Sequence, residues 1–155
     1  MFQRRLRLFK LLGFEVKVDI TWLIIAVLVT WSLARGLFPE YYPDLSLATY
    51  WWMGITGALG LFLSIIFHEL SHSFFARRHG LPMKGITLFI FGGVAEMSEE
   101  PKNPQTELIM AVSGPISSVI LGFLFLLLNV AAGGINLSVP VVGVIGYLAF
   151  INFFL

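Results

Sequence analysis

The sequence predicts an all-α membrane protein of about four transmembrane helices, with a short β-hairpin or re-entrant loop between the second and the third. Composition is the first observation: of 155 residues, 57% are hydrophobic and only 12% charged, and the mean hydropathy of +0.87 is far from that of a soluble domain. The second is four stretches, residues 20–37, 50–76, 107–131 and 139–155, apolar enough to consider against the ~20 helical residues a bilayer core needs. The third is the segment after His79, which Pro82, Gly85, Gly92 and Gly93 break too often for a span.

The chain reads as one transmembrane core over residues 1–155, with a cytoplasmic lead-in at 1–19 and the hairpin or loop at 80–104. Within the lead-in, "FEVKVDI" alternates apolar and polar residues as a strand does, and it is expected to be a solvated anchor at the membrane surface. The first span is expected to be a retained helix. It starts late and ends in bulky "LARGLFPEYYP", with no small-residue cleavage site. Tyr41, Tyr42, Trp51 and Trp52 flank the next connection at the headgroup level. Gly54, Gly57 and Gly60 repeat every third residue and predict a face of close helix packing. In the broken segment "ITLFIF" is a run of strand formers, and non-helical backbone at membrane depth survives only against protein or a water-filled cavity.

Lysines and arginines set the orientation. Arg4, Arg5, Arg7, Lys10 and Lys17 precede the first span, and Arg77, Arg78, Lys84 and Lys102 lie between the second and third, against Arg35 alone near the first connection. The N-terminus is therefore expected in the cytoplasm. There is no cysteine for a disulfide or thiolate metal site, and a formal net charge of +1 without a basic stripe argues against nucleic acid as a partner.

Inside the second apolar stretch, His68, Glu69, Leu70, Ser71 and His72 spell H-E-x-x-H. On a helix, side chains at i and i+4 lie one turn apart on one face, so both imidazoles reach a single metal ion, with Glu69 beside them. Zinc held this way lowers the pKa of its water towards about 7, and a neighbouring carboxylate can take the proton and pass it to a leaving amine. This is the chemistry of peptide hydrolysis. Insertion scales put a charge at mid-span at about 3 kcal/mol, so such a cluster asks for a functional reason. Snorkelling side chains at the helix end, near Arg77 and Arg78, are the plainer explanation, but they do not account for two histidines on one face with a glutamate between. His79 reads as interfacial, Glu96, Glu99 and Glu100 as a polar loop end, and Ser71 and Ser73 as bonding back to helix carbonyls. "AVSGPISS" in the third span reads as a packing notch that also brings that helix against the histidines.

H-E-x-x-H in the second apolar stretch, "LFIFGGVAEM" after it, "PKNPQTELIMAVSGPISS" opening the next helix and a final "GYLAFINFFL" together resemble the site-2 protease family of intramembrane zinc metalloproteases, from about Phe14 onward. The resemblance, nearest to the family's compact prokaryotic branch, implies one zinc ion held by His68 and His72, Glu69 as general base, cleavage of transmembrane protein substrates within the bilayer, and a prokaryotic cell membrane as its place. The family's third ligand is an aspartate in N-x-x-P-x-P-x-x-D-G. No such motif follows here, Asn152 having Leu155 three residues on, so the sequence is expected to stop short of that ligand. Substrate contacts are expected at Ile86, Phe89, Gly92 and Gly93, the "ITLFIF" strand pairing at its edge with an unwound substrate. Two alternatives stand beside this. One is a truncated or inactive relative serving as a membrane scaffold or sensor. The other is a metal or ion transporter with a midplane histidine site, which the wedged glutamate and the small number of spans disfavour.

Overall fold

The structure is a computed structural model that describes residues 5–89, 92–97 and 103–155. It is mostly helical, as predicted, and adds one four-stranded sheet. The elements in chain order are β1 (Arg5–Leu11), β2 (Phe14–Asp19), α1 (Trp22–Ser32), a π-helical segment (Leu33–Leu37), α2 (Phe38–Tyr41), α3 (Leu47–Arg78), β3 (Met83–Phe89), β4 (Gly92–Met97), α4 (Pro104–Gly134) and α5 (Val139–Asn152). Three helical stretches, Trp22–Tyr41, Leu47–Arg78 and Pro104–Gly134, are long and apolar enough to cross a membrane. The fourth predicted span forms a shorter helix of 14 residues.

Two compact units divide the chain, Met1–Ile25 with Ile65–Ser117, and Ala26–Ser64 with Ser118–Leu155. In the first, the sheet has strand order β1-β2-β3-β4, with β1 and β2 antiparallel, β2 and β3 parallel, and β3 and β4 antiparallel. The predicted hairpin between the second and third spans is β3 with β4. It pairs as far as Phe89 and Gly92, so the two glycines open the second strand, and residues 90 and 91 lie outside the described residues.

The alternation of "FEVKVDI" is strand geometry, but its surroundings differ from those expected. Phe14, Val16 and Val18 are buried together with Ile86 and Leu88 of β3, and close on Ile66 and Leu70 of α3. The lead-in is therefore not simply a solvated anchor, because its inner face is part of a core. Burying each such side chain is worth about 1.5–3 kcal/mol, more than a solvated strand could recover. On the opposite face Glu15 pairs with Arg7 at 3.1 Å and with Lys17 at 3.8 Å, surface contacts worth at most about 1 kcal/mol each.

Local chemistry fixes the ends of the helices that reach this core. At the start of α1, Asp19 accepts from the backbone N–H and the hydroxyl of Thr21 at 2.9 and 2.7 Å. α3 ends in a Schellman arrangement: Gly80, at φ +80°, sends its N–H to Arg77 O, and the N–H of Leu81 reaches Ala76 O, both at 3.0 Å. α4 starts with Asn103 as cap, its Oδ1 accepting from the Thr106 N–H at 2.8 Å. The β1–β2 turn uses Leu12 and Gly13, both at positive φ, the signature of a tight two-residue hairpin. Arg77 holds that turn, donating to Leu12 O at 2.9 Å while its guanidinium lies 4.2 Å from the centre of the Phe14 ring.

In the second unit the glycine triplet is a packing face, as expected. A Cβ at Gly54 would collide with Thr30 O, one at Gly57 would press on Leu33 and Tyr147, and one at Gly60 would collide with Leu148. Asn152, fully buried, donates to Ser64 Oγ at 3.0 Å and to Leu148 O at 2.8 Å.

Replacing Arg77 by Met keeps the aliphatic stem and removes the bond and the ring contact, and it should weaken the hairpin by about 1–2 kcal/mol. Amide exchange over residues 8–16 should then quicken several-fold while exchange in α4 stays unchanged.

Candidate metal centre

α3 divides its faces among three neighbours in the first unit. Ile66 and Leu70, one turn apart, face the sheet core. His68 and His72, also one turn apart, lie against α4, and Glu69 lies against β4 at Gly93. The Nε2 atoms of the two histidines are 3.0 Å apart, with ring centroids at 4.7 Å and planes at 75°.

The ring of His72 is held from behind. Its Nδ1 lies 2.6 Å from Met110 O, and a carbonyl only accepts, so Nδ1 carries the hydrogen and neutral His72 presents a lone pair at Nε2. Ser113 Oγ donates to the same carbonyl at 2.7 Å and sits 3.4 Å from His72 Nδ1. Met110 is itself packed with Ala76, Leu81 and Met83, which sets the height of its carbonyl against α3.

Two glycines provide the clearance. A Cβ on Gly114 would collide with Nε2 of both His72 and His68, and a Cβ on Gly93 would stand 2.5 Å from Glu69 Cγ and 3.2 Å from its Oε1. Neither position tolerates any side chain without displacing the motif. The space in front of the imidazoles is thus kept by backbone alone.

These residues fit zinc. Two nitrogens at ~2.0–2.1 Å on a tetrahedral ion are about 3.3 Å apart, close to the separation seen here. Among the described residues no group of three His, Cys, Asp or Glu comes together, so the histidines offer part of a ligand set. His79 is not near a third-ligand role: its Nδ1 donates to Phe75 O of its own helix at 2.8 Å and its side chain is exposed. The side chain of Glu96, with Glu99 and Glu100, lies outside the described residues. Ser71 bonds back to Phe67 O at 3.0 Å as expected, whereas buried Ser73 Oγ has no partner among the described residues.

Of the residues expected to touch substrate, Gly93 alone is shown at the motif. Ile86 is fully buried in the core beneath the sheet, and Phe89 is half-buried in β3. Edge pairing by β3 is corrected by the topology, since β2 and β4 occupy both of its edges. Sequence reasoning missed Met110, whose part is played by a backbone carbonyl, and Ser113. Gly114 was signalled by the small residues around Pro115.

A helix-borne H-E-x-x-H, cleared by glycines and set among helices long and apolar enough to cross a membrane, is the pattern of the metallopeptidase class. The chain belongs to peptidase family M50, whose model matches residues 56–154. It is 39% identical over 147 residues to a Synechocystis protein, sll0528, named as a candidate zinc metalloprotease, a match covering 95% of this chain and 38% of that protein. It is 36% identical over 146 residues to Rip3 of Mycobacterium tuberculosis, named likewise, covering 94% and 37%. The chain thus spans less than two-fifths of the length of these curated relatives. Among solved structures it is similar to the site-2 protease from Methanocaldococcus jannaschii, with a TM-score of 0.61 and 27% identity over 96% of this chain and 61% of that one.

Ala at position 114 is a better helix former than Gly, so Gly114→Ala should leave helix content intact while lowering zinc affinity at least tenfold, by titration of purified protein with a zinc indicator. Ser113→Ala should lower it less, because the Met110 carbonyl keeps its bond from His72.

Proposed function

We propose that this chain forms the core of an intramembrane zinc endopeptidase that cleaves transmembrane-helix substrates inside the bilayer, as in regulated intramembrane proteolysis. His68 and His72 are the zinc ligands it contributes, and Glu69 is the general base. The observation that carries the reading is the pair of Nε2 atoms 3.0 Å apart in a gap kept by Gly114, with the Glu69 carboxylate on the next position against Gly93. The zinc metalloprotease names of the relatives support it. The basic flanks support a cytoplasmic N-terminus, and the bacterial and archaeal sources of the relatives support a prokaryotic membrane.

Zinc, when bound by His68 and His72, would supply a Lewis acid for the scissile carbonyl and lower the pKa of water there. Glu69 would take a proton from the attacking water on its carboxylate and pass it to the leaving amine nitrogen. His72 keeps its own proton on Nδ1, against Met110 O, and so keeps Nε2 for the ligand role.

A substrate helix hides its carbonyls in its own hydrogen bonds, so it must unwind before hydrolysis, and its freed backbone then needs partners at membrane depth. In the described sheet β3 has none to offer, but β4 is the terminal strand and its outer edge is unpaired. An extended substrate segment added there, beside Gly92 and Gly93, would run next to Glu69, its main chain recognised whatever its side chains. The partners of this chain are thus a transmembrane protein substrate and the lipid bilayer.

In the intact protein in membranes, Glu69→Gln should retain zinc and lose cleavage of a transmembrane reporter by a factor of 10³ or more, on the order of what general base and electrostatic roles contribute together. Retained cleavage refutes the role of Glu69; absence of zinc from the unaltered protein favours a non-catalytic scaffold. Successive strand residues point their N–H groups to opposite edges, so of Val94→Pro and Ala95→Pro one removes an outward donor and the other breaks the β3 ladder. Both should cut cleavage, and the outward one should do so with zinc content and β3 exchange protection unchanged. Unaltered cleavage in both would remove β4 from the substrate path.

A further inference from the structure

The β1–β2 hairpin has one face accounted for and one strand that is not. β2 buries Phe14, Val16 and Val18 against α3, but β1 is the other terminal strand of the sheet and every residue from Leu6 to Gly13 is exposed. Leu6 is 66%, Leu8 53% and Leu12 64% exposed. Even with the irregularity in its pairing between Arg7 and Phe9, an exposed apolar edge of this kind in water is a template for aggregation.

The chain itself says what surrounds it. Only Ile20 and Thr21 separate β2 from Trp22, the first residue of a helix long and apolar enough to cross a membrane, and the first turn of that helix exposes Leu23 and Ile24 at 54% each. The exposed apolar surface of the hairpin therefore continues into a lipid-facing one. Basic residues are interleaved with it: Arg7 and Lys10 lie within β1, and the acidic groups of the hairpin are already engaged, Glu15 with Arg7 and Lys17, and Asp19 with Thr21. Depth is set by the backbone. The outer edge of β1 carries N–H and C=O groups with no partner strand among the described residues, and such groups need water, so the strand belongs at the headgroup level and not in hydrocarbon.

We propose that β1 and the Leu12 turn form a lipid-reading edge that lies in the interfacial layer of the membrane, with Leu6, Leu8 and Leu12 dipping to the acyl boundary and Lys10 on anionic phospholipid headgroups, Arg7 being held by Glu15. It is a short amphipathic strand in the place where other proteins use an amphipathic helix. Arg77, bonded to Leu12 O, couples this edge to the helix that carries His68, Glu69 and His72.

The chain has no cysteine, so single nitroxide labels report cleanly. Leu8→Cys and Leu12→Cys proteins are reconstituted in phosphatidylcholine vesicles with or without 30% (about one lipid in three) phosphatidylglycerol, and label accessibility to oxygen and to a water-soluble nickel chelate is compared. Both labels should favour oxygen in the anionic vesicles. That preference should fall at least twofold in pure phosphatidylcholine, and in anionic vesicles when Lys10→Gln is added. Full nickel access in both lipids would overturn the proposal, as would a depth indifferent to headgroup charge. Spin–spin broadening that persists on dilution with lipid would overturn it in favour of β1 pairing with a second copy of the chain.

Discussion

The hydrogen bond from His72 Nδ1 to the Met110 carbonyl sets three things at once, and the centre depends on all of them. It stops rotation of the imidazole, it assigns the proton to the nitrogen that faces away from His68, and it fixes the distance between α3 and α4 at 38 residues' separation in the chain. That distance is very small, and it is open to α4 only because position 114 has no side chain to meet the two Nε2 atoms. Pro115, next in the chain, has no N–H for the carbonyl four residues back and loosens the helix where it must fit the notch. Ser113 adds a second donor to the same carbonyl, so the acceptor stays directed at His72.

A polar cluster inside an apolar helix is stable when every one of its faces has a designated occupant. The sheet supplies this for α3. Ile66 and Leu70 form the stripe that binds β2 and β3, and that packing in turn holds β4 where Gly93 meets Glu69. Had the sheet been a solvated lead-in and a free loop, Glu69 would have had nothing to lie against. The N-terminal strand is therefore part of the centre by way of its packing on Ile66 and Leu70.

What the sequence made legible was local. The i, i+4 histidines depend on one turn of helix, the strand character of residues 14–19 on a period of two, and the close-packing triplet on glycines three apart. Each can be read without knowing the fold. The parallel pairing of Glu15–Val18 with Gly85–Leu88 could not, because its partners are 70 residues apart and helices α1 to α3 intervene. That one unread pairing accounts for both corrections: it buries the lead-in, and it fills the edge of β3 assigned to substrate. Met110 was illegible for another reason, since a backbone carbonyl leaves no mark on residue identity. The π-helical turn at Leu33–Leu37 has no local signal either.

The two terminal strands of the sheet face the same physical problem and meet it differently. An unpaired strand edge near a membrane must have water or another backbone, since lipid offers neither donor nor acceptor. β1 carries Arg7 and Lys10 along its length, groups that keep water and headgroups close and discourage pairing with another strand. β4 opens on two glycines, which offer no such protection and leave the main chain as the principal feature of its first residues. On the proposed reading, that bare edge has water as its occupant when no substrate is present, and hydrolysis needs water at the same place, beside Glu69. An unwound substrate strand that replaces the edge water would satisfy the backbone of β4 and its own, so pairing and delivery of the scissile carbonyl become one event.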